Sequence, residues 1–343
     1  MQFCKKWLFP AVFLLTIASN SYSKNHDDVT AAIDNGLRYL ESVQFDYGEF
    51  PTTFTPNIPE PQRSLQSNFD SNLFTTAMLA DALHSIQNPR VERIEKKSVT
   101  FIQSQLNNEN GLWSYFTTHN PNPLYPTTVY DLDDTAFAAM VLQQNNANFP
   151  DNRTAINANK NASGIYLTFV GIPENQNSID CGVNANVLSY LKDNDPKVCR
   201  YINDQVAQGK NCAVYYTLPD AYYLITRAYA SGVSCLKPSM PMISNYVLGQ
   251  FDKQNGSIDN SPFKTAIGLN TLLSSGFTSG PEIQKAKQYL LNTQSVNNGS
   301  WPAEDFWLWA GTDDHGNPIL AGRSSSSALT TAIVLKALNA LGK

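Results

Sequence analysis

Two kinds of apolar pattern alternate along this chain. In the first, apolar residues fill nearly a whole segment: TTAMLADAL at 75–83, DTAFAAMVL at 134–142, VNANVLSYL at 183–191, KTAIGLNTL at 264–272 and TTAIVLKAL at 330–338. All read Thr-Ala-x-x-apolar-x-x-Leu, with Asn184 in the threonine place, and PDAYYLITRAYA at 219–230 is a looser sixth copy. Ala and Leu dominate and apolar residues recur at three- and four-residue steps, which predicts helices. A helix that is apolar all round belongs inside, enclosed by others.

The second pattern has a polar face, as in EIQKAKQYLLNTQ at 282–294, and belongs outside. Such helices end in Gln, a short turn and Gly-x-aromatic or a close variant. The copies are YLESVQFDYGEF at 39–50, TFIQSQLNNENGLW at 100–113, YVLGQFDKQNGSI at 246–258 and YLLNTQSVNNGSW at 289–301. The glutamines are Gln44, Gln105, Gln250 and Gln294, with Gln205 marking another; the steps between them are 61, 100, 45 and 44 residues, so the longest holds two units. Six inner helices alternating with six outer ones predict an all-α chain, an (α/α)6 toroid built from six helical hairpins. The inner helices would run parallel, with their N-terminal ends on one rim. Two long rim loops, 113–130 and 300–325, would shape a pocket there. The second carries turn chemistry for a short hairpin around Asp314, His315 and Gly316.

Residues 1–23 read as a secretory signal: Lys5 and Lys6, then WLFPAVFLLTIA, then a cleavage site at Ser21-Tyr22-Ser23. The expected mature chain, 24–343, is one toroid domain, exported to a periplasmic or extracellular space. No later stretch is long and apolar enough to span a membrane. Charge counts of 24 basic and 29 acidic residues give -5, and no basic patch for nucleic acid is advertised. Cys4 leaves with the signal, and Cys181, Cys199, Cys212 and Cys235 allow two disulfides in any of three pairings. Their spacing is not that of a zinc site, and the sequence calls for no metal and no cofactor.

The Gln…Gly-x-Trp unit, best in KAKQYLLNTQSVNNGSW at 285–301, resembles the QW motif of squalene-hopene and oxidosqualene cyclases. Asp131-Leu132-Asp133-Asp134-Thr135-Ala136 resembles the DxDDTA form of the class II terpene cyclase motif. The repeats carry the resemblance over most of the chain. It implies an (α/α)6 barrel and an isomerase that protonates an isoprenoid alkene or epoxide. The middle aspartate of that motif is the proton donor, which transfers to Asp133, with Asp131 and Asp134 in support. Those cyclases pair two barrels around one cavity, whereas this chain has room for one. A homodimer would supply a second wall. Prenyltransferase β-subunits are single toroids with Asp, Cys and His zinc ligands; only Asp180-Cys181 is similar here.

The repeats also provide an internal control. Aligned on Thr-Ala, Asp131 falls opposite Asn72, Asp180, Ser261 and Ser327, where small polar residues cap a helix. Asp133 falls opposite Phe74, Phe263 and Leu329. It therefore points inward, where an ionisable group must be paired or protonated. An alkene-protonating acid needs that environment. Aromatic faces would steady a cation. The candidates are Trp113, Tyr115, Tyr130, Phe137, Tyr215, Tyr222, Trp301, Phe306, Trp307 and Trp309. Trp113 and Trp301 close QW-like units and read as packing. Trp307, Trp309, Phe137, Tyr130 and Tyr222 read as ligand-facing. His84, His119 and His315 belong to no recognisable motif.

Two other classes remain open on the residues alone. One is a non-catalytic toroid holding a lipid, glycan or protein on its rim, with a filled centre. The other is a polysaccharide hydrolase or lyase. That would need a second carboxylate about 5–9.5 Å from the first, with Asp70, Asp180, Asp220 or Asp305 available.

Overall fold

The computed structural model describes residues 28–56, 68–121, 127–210, 212–312 and 318–342. The signal-like segment 1–23 and the turn Asp314–Gly316 lie outside the described residues. Twelve helices are seen among them: α1 (28–43), α2 (Leu73–Leu83), α3 (Pro89–Ser104), α4 (Leu132–Gln144), α5 (Arg153–Ala158), α6 (Cys181–Leu191), α7 (Pro196–Ala207), α8 (Leu218–Ala230), α9 (Met240–Leu248), α10 (Pro262–Ser274), α11 (Pro281–Asn292) and α12 (Ser327–Leu341). The even-numbered helices pack in a closed cycle, each on the next and α12 back on α2. They form the inner ring, and the odd-numbered helices lie outside it. The predicted six-hairpin toroid is thus observed.

Five of the six repeats are locked by the same hydrogen bond. The residue before the alanine of an inner helix accepts from the backbone N–H of the aromatic or apolar residue that closes the preceding turn. The pairs are Phe50 to Thr76 Oγ1 (3.0 Å), Trp113 to Thr135 Oγ1 (3.1 Å), Tyr166 to Asn184 Oδ1 (3.1 Å), Ile258 to Thr265 Oγ1 (2.9 Å) and Trp301 to Thr331 Oγ1 (3.1 Å). This is why the motif needs a short side-chain acceptor there, and why Asn184 serves in place of threonine. Trp113 and Trp301, both fully buried, also donate from Nε1 to the outer helix they follow, at Ile102 O (2.8 Å) and Leu290 O (2.9 Å).

The glutamines bridge repeats. Gln44 Nε2 donates to Gly48 O (2.9 Å) and to Ile94 O of α3 (3.1 Å); Gln294 Nε2 donates to Gly299 O and to Ala32 O of α1, both at 2.8 Å. The second bond ties the last repeat to the first. Gly299 has φ +79°, and a Cβ there would sit 2.6 Å from Asn35 O of α1, so only glycine admits this approach. Gln105 departs from the pattern: its Oε1 accepts from Thr118 N (2.9 Å).

A small antiparallel sheet lies at the N-terminal rim, in the order β2-β1-β4-β3, from β1 (Thr53–Pro56), β2 (Asn68–Phe69), β3 (Asp305–Thr312) and β4 (Pro318–Ser325). β3 and β4 are the arms of the expected hairpin. β1 pairs with β4, Thr53 opposite Ser325, which joins the first and last repeats a second time. The cysteines pair as Cys181–Cys212 and Cys199–Cys235.

Truncating Trp301 to alanine removes a fully buried side chain and leaves Leu290 O without its donor. The expected loss is about 3–5 kcal/mol of stability, read as a lowered urea midpoint.

Candidate functional site

The acidic motif sits at the start of α4. Asp131 is the N-cap: its Oδ1 accepts from Asp134 N at 2.8 Å. Asn72, Asp180 and Ser261 do the same for α2, α6 and α10. In α12 the cap is Ser326, one residue before the Ser327 that the alignment indicates. Asp133 is different, as its repeat position predicts. It is fully buried, and both carboxyl oxygens are held. Asn186 of α6 donates from Nδ2 to Oδ1 at 2.6 Å, and the Tyr216 hydroxyl donates to Oδ2.

Nearby carboxyl groups gather without a cation in direct contact. Asp180 is buried and accepts four backbone N–H bonds, from Gly182 (2.6 Å), Val183 (3.1 Å), Val214 (2.5 Å) and Tyr215 (3.2 Å). Asp70 accepts from the Tyr115 hydroxyl at 2.9 Å. Glu49, fully buried, accepts from Ser71 Oγ (2.8 Å) and the Tyr47 hydroxyl (2.9 Å). Asp134 is fully buried, and no donor reaches either of its oxygens; its side-chain neighbour is the Asp131 carboxyl, to which a protonated Asp134 donates. Among the described residues no group of three or more His, Cys, Asp or Glu is set to hold a metal ion. Burial pushes Asp133 up to about 7; Tyr216 and Asn186 pull the other way, and Asp131 and Asp180 add to the rise. Burial, with Asp131 and Asp133 beside it, raises Asp134 well above the carboxylate range. Burial raises Glu49 to about 7 and Asp220 to about 6.

Aromatic rings cover this group. Trp307, near the start of β3, stacks on Tyr215 (centroids 5.3 Å) and on Tyr115 (5.4 Å). It meets Tyr216 edge-on at 5.2 Å and Phe74 at 5.2 Å. Phe306 lies parallel to Phe74 at 6.3 Å. Between Tyr216, Phe74, Phe263 and Phe306 the side chains leave a cavity of about 10 Å³, room for about one water. Among the described residues Asp133 is thus paired and buried, with little open space between these rings.

The ligand-facing candidates separate. Trp307 joins Tyr216 over the acid. Phe137 lies in the ring, but the Arg227 guanidinium covers it at 4.2 Å. Tyr222 is not brought to the acid: it packs edge-on against Tyr246 of α9 at 5.3 Å, on the outer side of α8. Tyr130 precedes the cap, and its hydroxyl accepts from Asn107 Nδ2. The Trp309 side chain lies outside the described residues. Of the expected second carboxylates, Asp305 pairs with Arg323 at the exposed surface. His84 pairs with Glu95 (2.9 Å) and His119 stacks on Tyr47 (4.1 Å), both away from Asp133. Sequence reasoning missed Tyr216, Asn186 and Arg227. Asn186 and Arg227 carried a signal, being polar residues inside otherwise apolar inner helices.

No family model matches the chain, and no curated protein matches its sequence. Solved structures do match. A variant of the type II terpene cyclase MstE from Scytonema, in complex with geranylgeranyl dihydroxybenzoate as substrate, superposes with TM-score 0.67 at 18% identity, over 93% of this chain and 99% of that one. A protein from Actinoplanes gives 0.69 at 17%, over 92% and 100%. A D-mannose isomerase gives 0.51 at 11%, over 97% and 99%. The chain thus has the fold of a type II terpene cyclase. MstE is spanned almost entirely by this single ring, so that fold does not require a second barrel.

Asp133 and Glu49 hold protons up to about pH 7 in the folded chain, whereas carboxyl groups in an unfolded chain release them near about pH 4. Between those values the folded state binds more protons, so stability falls as pH rises. Calorimetry is expected to show Tm decreasing from about pH 5 to about pH 8. The Asp133→Asn variant should show a shallower decrease.

Proposed function

We propose that the chain is a terpenoid-cyclase-like isomerase in which Asp133 protonates an isoprenoid alkene or epoxide. The observation that carries this reading is Asp133 itself: a fully buried carboxyl group, its pKa raised by burial to about 7, between Tyr216 and Asn186 under a roof of aromatic rings. Alkene protonation needs a neutral acid shielded from water. The proton passes from the carboxyl group to an alkene carbon, which leaves a carboxylate and a carbocation. The next double bond attacks the cation to close a ring, and loss of a proton ends the sequence with no net change in composition. The faces of Phe74, Tyr216, Phe306 and Trp307 are placed to steady the charge. Asp131 orders the helix start, and the neutral Asp134 adds no negative charge beside the acid.

In this reading the rings over Asp133 are in their closed position. An isoprenoid reaches Asp133 once Phe306 and Trp307, adjacent on β3, swing out, as a lid does. The likeness to a cyclase solved with an isoprenoid-bearing substrate supports the ligand class. Export would place the chain where its two disulfides persist. The tight packing of the described rings over Asp133 favours a second reading, a non-catalytic toroid with a lipid, glycan or protein on its rim.

The test is conversion of squalene, its terminal epoxide and geranylgeraniol by the purified protein, followed by gas chromatography and mass spectrometry. Cyclic isomers are expected. Asp133→Asn should lower turnover by about 10²–10⁴-fold while Tm stays within a few degrees. Retained turnover in that variant removes Asp133 from the acid role. If wild type converts none of the three and Trp307→Ala leaves this unchanged, the rim-binding reading takes its place.

A further inference from the structure

The groups that hold Asp133 are themselves held. Arg227 of α8 is buried, and its Nη2 donates to Asn186 Oδ1 at 2.8 Å. Arginine carries donors and no acceptor. The Asn186 amide must therefore turn its oxygen to Arg227 and its nitrogen to Asp133. Without that constraint, an amide can flip and offer the carboxyl group either end. Arg227 is fixed in turn. Its Nη1 donates to Asp81 Oδ2 of α2 at 2.9 Å, and its plane lies over Phe137. Asp81 also accepts from Gln144 at 2.9 Å and lies 3.8 Å from Lys336 Nζ of α12. The charges of Arg227 and Lys336 hold Asp81 down to about 2 despite its burial, so this anchor stays ionised.

We infer that Asn186 and Arg227 are positioning residues that confine the Asp133 proton to one oxygen, Oδ2. The N–H on Oδ1 cannot turn away from a proton placed there, whereas the Tyr216 hydroxyl on Oδ2 can rotate from donor to acceptor. Neutral Asp133 thus carries its proton on Oδ2, beside the Tyr216 hydroxyl, whose hydrogen rotates to suit. Tyr216 lines the small cavity and Asp133 itself does not, so Oδ2 is linked to that cavity through the Tyr216 side chain. The catalytic meaning rests on the cyclase reading, but the proton assignment can be read without turnover. The titratable and charged groups around Asp133 are Asp131 and Asp134 on its own helix, Asp180 of α6 and Tyr216; Arg227, Asp81 and Lys336 act through Asn186.

The experiment uses the full chain labelled with ¹³C at aspartate carboxyl carbons and ¹⁵N at asparagine amides, without substrate. In wild type, the Asn186 side-chain amide signals should follow the same pH midpoint as the Asp133 carboxyl carbon. In Asn186→Leu the anion loses a donor, and Asp133 should bind its proton at least about tenfold more tightly, about one pH unit upward. Arg227→Lys keeps a cation for Asp81 but lacks the fork that reaches Asn186 as well. The amide should then give two sets of signals, with the Asp133 midpoint again raised. Unchanged midpoints in both variants overturn the inference. So does a wild-type amide that ignores the Asp133 titration, a result that needs no variant to fold. Failure of the cyclase reading would appear separately, as absent turnover in wild type.

Discussion

Removing a carboxyl group from water with no counter-charge beside it is the constraint around which this structure is organised. The ionised form is costly in an apolar interior. Three arrangements answer that cost at the N-terminal rim. Asp180 keeps its oxygens saturated with four backbone donors. Asp134, with no donor and the Asp131 carboxyl beside it, holds a proton. Asp133 lies between, with two side-chain donors and a pKa near neutrality. The positive end of α4 alone does not decide the outcome, since all three aspartates share helix starts. Local donors and neighbouring carboxylates do.

The polar groups on the inner helices form a staircase through the ring. Asp133 stands in the layer of Phe74 and Phe263, Asn186 in the layer of Met78, Phe137 and Ile267, and Arg227 below with Asp81 and Lys336. Each step joins a different pair of helices, so the chain of bonds also cross-links the ring. Asp180 and the Cys181–Cys212 disulfide anchor both ends of the clamp. Cys181 begins the helix that carries Asn186, and Cys212 lies four residues before Tyr216.

The ring was legible because its grammar is local. A turn, a short acceptor before alanine and an apolar helix recur within one repeat, and the bond that links them explains the spacing. Asp133 was legible for the same reason, as a departure from Phe74, Phe263 and Leu329. Tyr216 was not, because it lies on the irregular stretch between Cys212 and α8, where no period says which way a side chain faces. Tyr222 was misread because α8 is the loosest copy. Its residues Asp220 and Leu224 share a cavity wall with Phe74 and Met78, so Tyr222 faces the outer helix. The sheet was only half legible: the β3–β4 hairpin has a turn signal, but β1 finds its partner at the far end of the chain, beyond any local pattern.

That distant pairing has a consequence for how the molecule is made. Thr53 lies opposite Ser325, Ala32 receives the Gln294 bond, and α2 is walled on one side by α12. While the polypeptide is being synthesised, five-sixths of a torus exists with no last wall. Its first inner helix then presents Leu73, Phe74 and neighbouring apolar side chains to whatever is nearby. Contacts so far apart in sequence form late and slowly. A second nascent chain at the same stage offers the same missing wedge. The gap between first and last hairpins is thus the natural place for two unfinished copies to exchange segments, and the speed with which α12 arrives sets how often they do.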